Sequence, residues 1–315
     1  VTDPAASRLE TMLAGVRLRN PLVLAAGTAG ELDEISDALP LEAIGAITTK
    51  SITREPRVGN APWRLVETRV GMLNAIGLAN PGIEAFVRDR LPRAASMPCP
   101  VFASAAGHSI DDYVAVASAF DERPEPALIE LNVSCPNTAT GLQFGDDPRL
   151  LAELLRAVRP AVMRKRLFVK LSPGAGDLVR LAQVAIEGGA DGLTLVNTYP
   201  ALAIDPETRR SRLARGGGGL SGPAIHPIAV RVVHDVHRLV TRGAAVPIIG
   251  LGGVLDWEDA AEFILAGATA VGVGTALFVD PRRPIAIVRG LAQWVARQGV
   301  ASISELIGAM EPPSL

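Results

Sequence analysis

The chain has 315 residues, of which 48% are hydrophobic and 20% charged, enough to bury the core of one large globular domain. Its formal charge of −2 gives no electrostatic ground for a nucleic-acid or anionic-membrane partner. Two cysteines, Cys99 and Cys135, are too few for a disulfide framework, a cysteine-rich zinc site or an iron–sulfur cluster.

No basic-then-apolar leader is read at the start. The apolar stretches fall short of the roughly 20 residues that span a bilayer, so the expected home is the reducing cytoplasm. In chain order, Val16 to Arg19 predicts a small hairpin ahead of the first strand, closing a barrel floor. Eight apolar runs follow, many ending in Gly, Ser, Thr, Asn or Lys: Leu22 to Gly27, Ala46 to Ser51, Val101 to Gly107, Leu128 to Ser134, Leu167 to Pro173, Gly192 to Thr198, Pro247 to Gly253 and Val271 to Leu277. Amphipathic stretches between them, among them Asp147 to Met163, Ala224 to Val240 and Trp257 to Ala266, predict helices capped by residues such as Asp147 and Asp256. Eight strand–helix alternations in this length predict an α/β fold, a single (β/α)8 TIM barrel over residues 1–315, rather than a doubly wound sheet. The polar strand ends then form the catalytic face.

Four residue patterns fall on that face. The heptad Leu131-Asn132-Val133-Ser134-Cys135-Pro136-Asn137 holds a thiol between two of the chain's seven asparagines. Of 31 basic residues only Lys50, Lys165 and Lys170 are lysine, and Lys50 and Lys170 close predicted strands. A compact ammonium at a barrel mouth differs from a planar guanidinium in reach and geometry. Asn74, Asn132, Asn137 and Asn197 cluster at strand ends, where amides that donate and accept suit a planar heterocycle, whereas Asn20 and Asn60 read as turn residues. Gly216 to Gly222, Gly250 to Gly253 and Gly272 to Thr275 lie in or beside strand ends six, seven and eight, the place where this fold binds phosphate through backbone N–H groups. No Gly-x-Gly-x-x-Gly opens a βαβ unit, so dinucleotide binding in the Rossmann manner is not supported.

Taken together, Thr49-Lys50-Ser51, Asn74-Ala75-Ile76-Gly77-Leu78, Asn132 to Asn137, Asn197-Thr198, Gly219-Leu220-Ser221-Gly222 and Gly252-Gly253 resemble, in order and spacing, the class 1 dihydroorotate dehydrogenases. The wording of Leu73 to Leu78 and of Gly219 to Ile225 leans towards the class 1B catalytic subunit. The resemblance implies bound FMN and oxidation of dihydroorotate to orotate in pyrimidine biosynthesis. It implies Cys135 as the base, its thiolate favoured by Lys50, with hydride passing to the flavin and Lys170 beside the flavin's pyrimidine edge.

By the same resemblance Asn74, Asn132, Asn197 and Thr198, with main chain of Ala75, Ile76, Gly77 and Leu78, hold the substrate ring, and Lys50 its carboxylate or the flavin. Asn137 stands where dihydropyrimidine dehydrogenases carry histidine, which favours dihydroorotate over dihydrouracil. Ala26, Lys50, Ser51, Ser104, Asn132 and Val196 line the flavin, and Gly222, Gly252, Gly253, Gly274 and Thr275 take its phosphate. Ser104 and His226 depart from the Asn and Lys that the resemblance leads one to expect. A homodimer is implied, and use of NAD requires a partner subunit with its own flavin and iron–sulfur cluster in a heterotetramer. A class 1A-like enzyme instead works alone with fumarate.

Other readings stay open. Residues 138–147 can form a lid. Three histidines on one predicted helix, His226, His234 and His237, lack a carboxylate or cysteine cluster, so no metal is expected there and solvated helix faces are the simpler reading. Arg209, Arg210, Arg212 and Arg215 read as a solvated loop on which a partner could dock, and Cys99 as buried filler. The competing functions are a dihydropyrimidine dehydrogenase-like flavoenzyme, a non-catalytic flavin-binding scaffold, and a phosphate-binding aldolase or isomerase using Lys170 as a Schiff-base nucleophile.

Overall fold

The structure, a computed structural model, describes residues 8–134, 144–174 and 176–311. It opens with a hairpin in which β1 (Thr11–Leu13) pairs antiparallel with β2 (Val16–Leu18) through Ala14 and Gly15. Next come β3 (Leu22–Leu24), β4 (Ala46–Thr48), β5 (Leu65–Thr68), β6 (Gly71–Asn74), β7 (Val101–Ala105), β8 (Leu128–Asn132), β9 (Arg166–Leu171) and β10 (Gly192–Leu195). The remaining strands are β11 (Tyr199–Ala201), β12 (Ile204–Asp205), β13 (Arg210–Ser211), β14 (Gly218–Ser221), β15 (Ile248–Leu251) and β16 (Ala270–Val273).

Eight of these close a barrel in the order β3, β4, β7, β8, β9, β10, β15, β16, every neighbouring pair parallel. They are the eight strands expected from sequence, each shorter than its apolar run. The run Val271 to Leu277, for instance, leaves the barrel after Val273 and its last residues start the helix Ala276–Val279. The hairpin closes the floor: Leu13 and Leu18 are fully buried in a cluster with Val23, Phe102, Leu128 and Phe168.

Helices wrap the barrel because their apolar residues recur at helical spacing. On Pro148–Val158 the buried residues are Leu151, Leu154, Leu155 and Val158, and the Asp147 carboxylate accepts the amides of Arg149 and Leu150 at the start. Asp256 caps Trp257–Ala266 in a reciprocal box with Asp259. Among the described residues no helix is long and apolar enough to cross a membrane.

Over the mouth lies a feature the sequence did not suggest, a four-stranded antiparallel sheet in the order β11, β14, β6, β5. The glycine run is therefore in part a strand. A Cβ on Gly219 would lie 2.0 Å from the Thr198 hydroxyl, and one on Gly218 would lie 2.5 Å from the Asn74 carbonyl, so only glycine lets β14 lie against both.

Entry into β9, the strand that carries Lys170, is fixed from outside the barrel. The buried Asp121 carboxylate, at the end of the helix Ile110–Asp121, accepts the backbone amides of Met163, Arg164 and Lys165. Asp121→Ala strands these amides, and urea unfolding should register a loss of about 3 kcal/mol.

Candidate active site

One cavity of about 530 Å³ opens between the C-terminal strand ends and the mouth sheet. That lies within the usual range for small-molecule and cofactor sites, about 300–1,000 Å³. Of the described residues expected at the site, Ala26, Lys50, Ser51, Asn74, Ala75, Ile76, Gly77, Leu78, Asn132, Lys170, Val196, Asn197, Thr198, Gly222, Gly252, Gly253, Gly274 and Thr275 all line it. Cys135 and Asn137 lie outside the described residues, as does 138–143 of the expected lid. The described end of that loop is anchored: Phe144 is fully buried with its ring edge-on to Tyr113 at 5.5 Å, and the Gly145 amide donates to the Val133 carbonyl.

Asn132 sits at the end of β8, in register with Lys170 on β9. Its amide is committed on both sides. Nδ2 donates to the Ser51 hydroxyl at 3.1 Å, while Oδ1 accepts from the Ser134 hydroxyl at 2.6 Å and from Asn197 Nδ2 at 3.2 Å. Asn197 also donates to the Ser134 hydroxyl, and its own oxygen accepts the Thr198 amide. The Tyr113 hydroxyl donates to the Asn132 carbonyl at 2.6 Å. This chain of bonds fixes which face each amide turns to the cavity.

Ser104 is a correction. It is fully buried and does not line the cavity; its hydroxyl is 2.9 Å from that of Ser51, so it acts on the site through Ser51.

The two lysines define the electrostatics. None of the ion pairs among the described residues involves Lys50 or Lys170, although Lys170 is only 5% exposed. Burial, then the Arg64 guanidinium and the Lys170 ammonium, hold Lys50 below the ordinary lysine value, with Glu31 opposing. Ammonium groups set into a cavity wall outside every ion pair among the described residues fit an anionic, electron-rich ligand.

At the other end of the cavity Gly222, Gly252, Gly253, Gly274 and Thr275 meet with almost no side chain between them. A Cβ on Gly253, whose φ is +72°, would lie 2.7 Å from the Gly222 carbonyl oxygen. Thr275 donates to the Ser221 hydroxyl at 2.8 Å. The cradle offers backbone N–H groups to a phosphate, and with the two lysines it fits a phosphorylated planar cofactor.

Several wall residues escaped the sequence reading. Asn60, taken as a turn residue, lines the cavity and donates to the Ala75 carbonyl; Arg215, taken as part of a solvated loop, lines it too and reaches Asn60 Oδ1 at 3.4 Å. Arg57, His108 and Ser134 are further wall residues. The one sequence trace of Asn60's place is Gly77, where a Cβ would lie 2.7 Å from Asn60.

His226 is also corrected: it is buried, and Nε2 lies 3.2 Å from a Glu262 carboxylate oxygen. Among the described residues no group of three or more His, Cys, Asp or Glu could hold a metal ion. Cys99 is buried, its thiol pushed up to about 11 by burial.

Fold and site together define a parallel eight-stranded barrel with a polar cavity at its mouth, lined by two lysines, strand-end asparagines and a glycine cradle. The family profile for dihydroorotate dehydrogenase matches residues 8–295. A relative from Trichlorobacter lovleyi, named dihydroorotate dehydrogenase B (NAD(+)), catalytic subunit, is 48% identical over 300 residues, 95% of this chain and 97% of the relative. One of the same name from Geotalea daltonii is 46% identical over 304 residues, 96% and 98% of the two chains. A third, from Solibacter usitatus, provisionally named a dihydroorotate dehydrogenase A (fumarate), is 46% identical over 305 residues, 96% and 99%. This chain belongs to the dihydroorotate dehydrogenase family, whose members are flavoenzymes.

Lys50 carries a stability consequence. Its folded-state value is below 10.5, so between that value and 10.5 the unfolded chain binds more protons and stability rises with pH. Lys50→Met should be more stable than the parent at neutral pH in urea unfolding, with the gap narrowing as pH approaches 10.5.

Proposed function

We propose that this chain oxidises dihydroorotate to orotate in de novo pyrimidine biosynthesis, as the FMN-dependent catalytic subunit of a class 1B enzyme. The observation that carries the reading is the cavity itself: two lysines outside every ion pair among the described residues, a strand-end asparagine network and a glycine cradle in one space, in a chain of this family. FMN, when bound, supplies the acceptor for the hydride that leaves one ring carbon of the substrate.

The chain's own residues do the rest. Cys135, next after Ser134, takes the proton from the adjacent ring carbon as thiolate, a form the Lys50 ammonium favours. Lys50 also receives the substrate carboxylate, desolvated enough for the pairing to be stronger than in water. Asn74, Asn132, Asn197 and Thr198, with main chain of Ala75 to Leu78, hold the ring's carbonyl and N–H groups. Asn137 selects dihydroorotate over dihydrouracil.

Lys170 places positive charge where negative charge develops on the flavin, with Ala26, Ser51 and Val196 along the flavin and Gly222, Gly252, Gly253, Gly274 and Thr275 on its phosphate. Lys170 as a Schiff-base nucleophile would leave Cys135 and the asparagines without a role.

Residues 1–315 act as one FMN-binding domain, in the cytoplasm and as a homodimer. Electrons pass to NAD through a partner subunit with its own flavin and iron–sulfur cluster, in a heterotetramer. The relatives named as NAD(+) catalytic subunits support this acceptor, and the Solibacter usitatus relative favours fumarate as the second reading. Steady-state assays with NAD, fumarate and a quinone separate the two. NAD turnover that appears only with a co-purifying flavin/iron–sulfur protein is the expected result, and fumarate turnover by the isolated chain overturns it.

Cys135→Ala should retain FMN yet slow its reduction by dihydroorotate by about 10²–10⁴-fold, the usual worth of a positioned base. Stopped-flow absorbance measures this, and unchanged reduction kinetics reject Cys135 as the base.

A further inference from the structure

We propose that His226 is a positioning residue for the phosphate cradle, acting through the Gly252–Gly253 peptide. The inference rests on the flavin reading above and concerns a side chain that no step of that reading uses.

His226 is the first residue of the helix His226–Val236 and is only 8% exposed. Its ring lies edge-on to Phe263, centroids 5.2 Å apart. Nδ1 is 2.9 Å from the Gly252 carbonyl oxygen; Nε2 is 3.2 Å from Glu262 Oε2 and 3.5 Å from Asp259 Oδ1. A carbonyl oxygen and ionised carboxylates only accept hydrogen bonds, so both ring nitrogens face acceptors. The doubly protonated ring satisfies both sides, and a neutral ring sets one lone pair against an oxygen.

The consequence reaches the cavity through peptide geometry. In a planar trans peptide the C=O and the following N–H point in opposite directions, so holding the Gly252 carbonyl on His226 fixes where the Gly253 N–H points. Gly252 and Gly253 both line the cavity, and a Cβ on Gly253 would lie 2.7 Å from the His226 Cβ, so the loop rests directly on this residue. His226 thus ties the cradle to Glu262 and Asp259 on the neighbouring helix Trp257–Ala266, which packs beside its own.

The test uses full-length holoenzyme with FMN as the probe. Dissociation constants come from the fluorescence of released flavin, read beside the thermal midpoint and the KM for dihydroorotate at saturating FMN. His226→Gln, a neutral side chain, should weaken FMN binding about tenfold, the worth of one charge-assisted hydrogen bond. His226→Lys, which keeps a cationic donor, should stay within about threefold, with the KM for dihydroorotate unchanged in both. Glu262→Gln alters a side chain that is 59% exposed and leaves the fold intact; it should weaken FMN binding about threefold.

Unchanged FMN affinity in His226→Gln and Glu262→Gln overturns the proposal. So does an equal loss in His226→Lys and His226→Gln, which reduces the side chain to filling space. A parent chain that binds no FMN overturns the flavin reading first and this inference with it.

Discussion

Two ammonium groups set into a barrel mouth, outside every ion pair among the described residues, are the constraint around which this molecule is arranged. Lys170 is buried on β9, and Lys50 is depressed by burial and by the neighbouring Arg64 and Lys170 charges. Unpaired buried charge costs free energy, and a fold retains it where a ligand offsets the cost. The asparagines around the lysines are spent on one another and on Ser51 and Ser134, which fixes their orientation without neutralising the cations. Charge and hydrogen-bond direction are thus set by different residues.

The barrel makes this arrangement affordable. Its floor is plugged by apolar side chains from the hairpin and the strands, and its upper end is roofed by a sheet whose glycines approach Thr198 and Asn74 directly. The cavity between them is walled by the asparagine dipoles and the two lysines and lined by bare backbone at the glycine cradle.

Much of the fold was legible in the sequence because parallel barrel strands are buried on both faces and read as unbroken apolar runs. Asp147 and Asp256 announced their helices by side-chain chemistry alone. The mouth sheet was not legible: its strands have three or four residues, and Gly218–Ser221 looks like a phosphate loop until its antiparallel partners are known. Lys50, Lys170 and the asparagines were conspicuous for their rarity and place. Asn60, Arg215 and His226 were not, since each gains its role from a segment far away in the chain. Ser104 shows the reverse error, a strand-end polar residue that turns out to stand behind another.

The central claim is that this cavity binds FMN and passes it a hydride from dihydroorotate. Anaerobic titration of the purified chain with dihydroorotate tests it most directly, following the flavin absorbance and the orotate formed. The purified protein should be yellow and bleach with one orotate released per flavin. A colourless protein that takes up no FMN, or a bound flavin that stays oxidised in excess dihydroorotate, would contradict it.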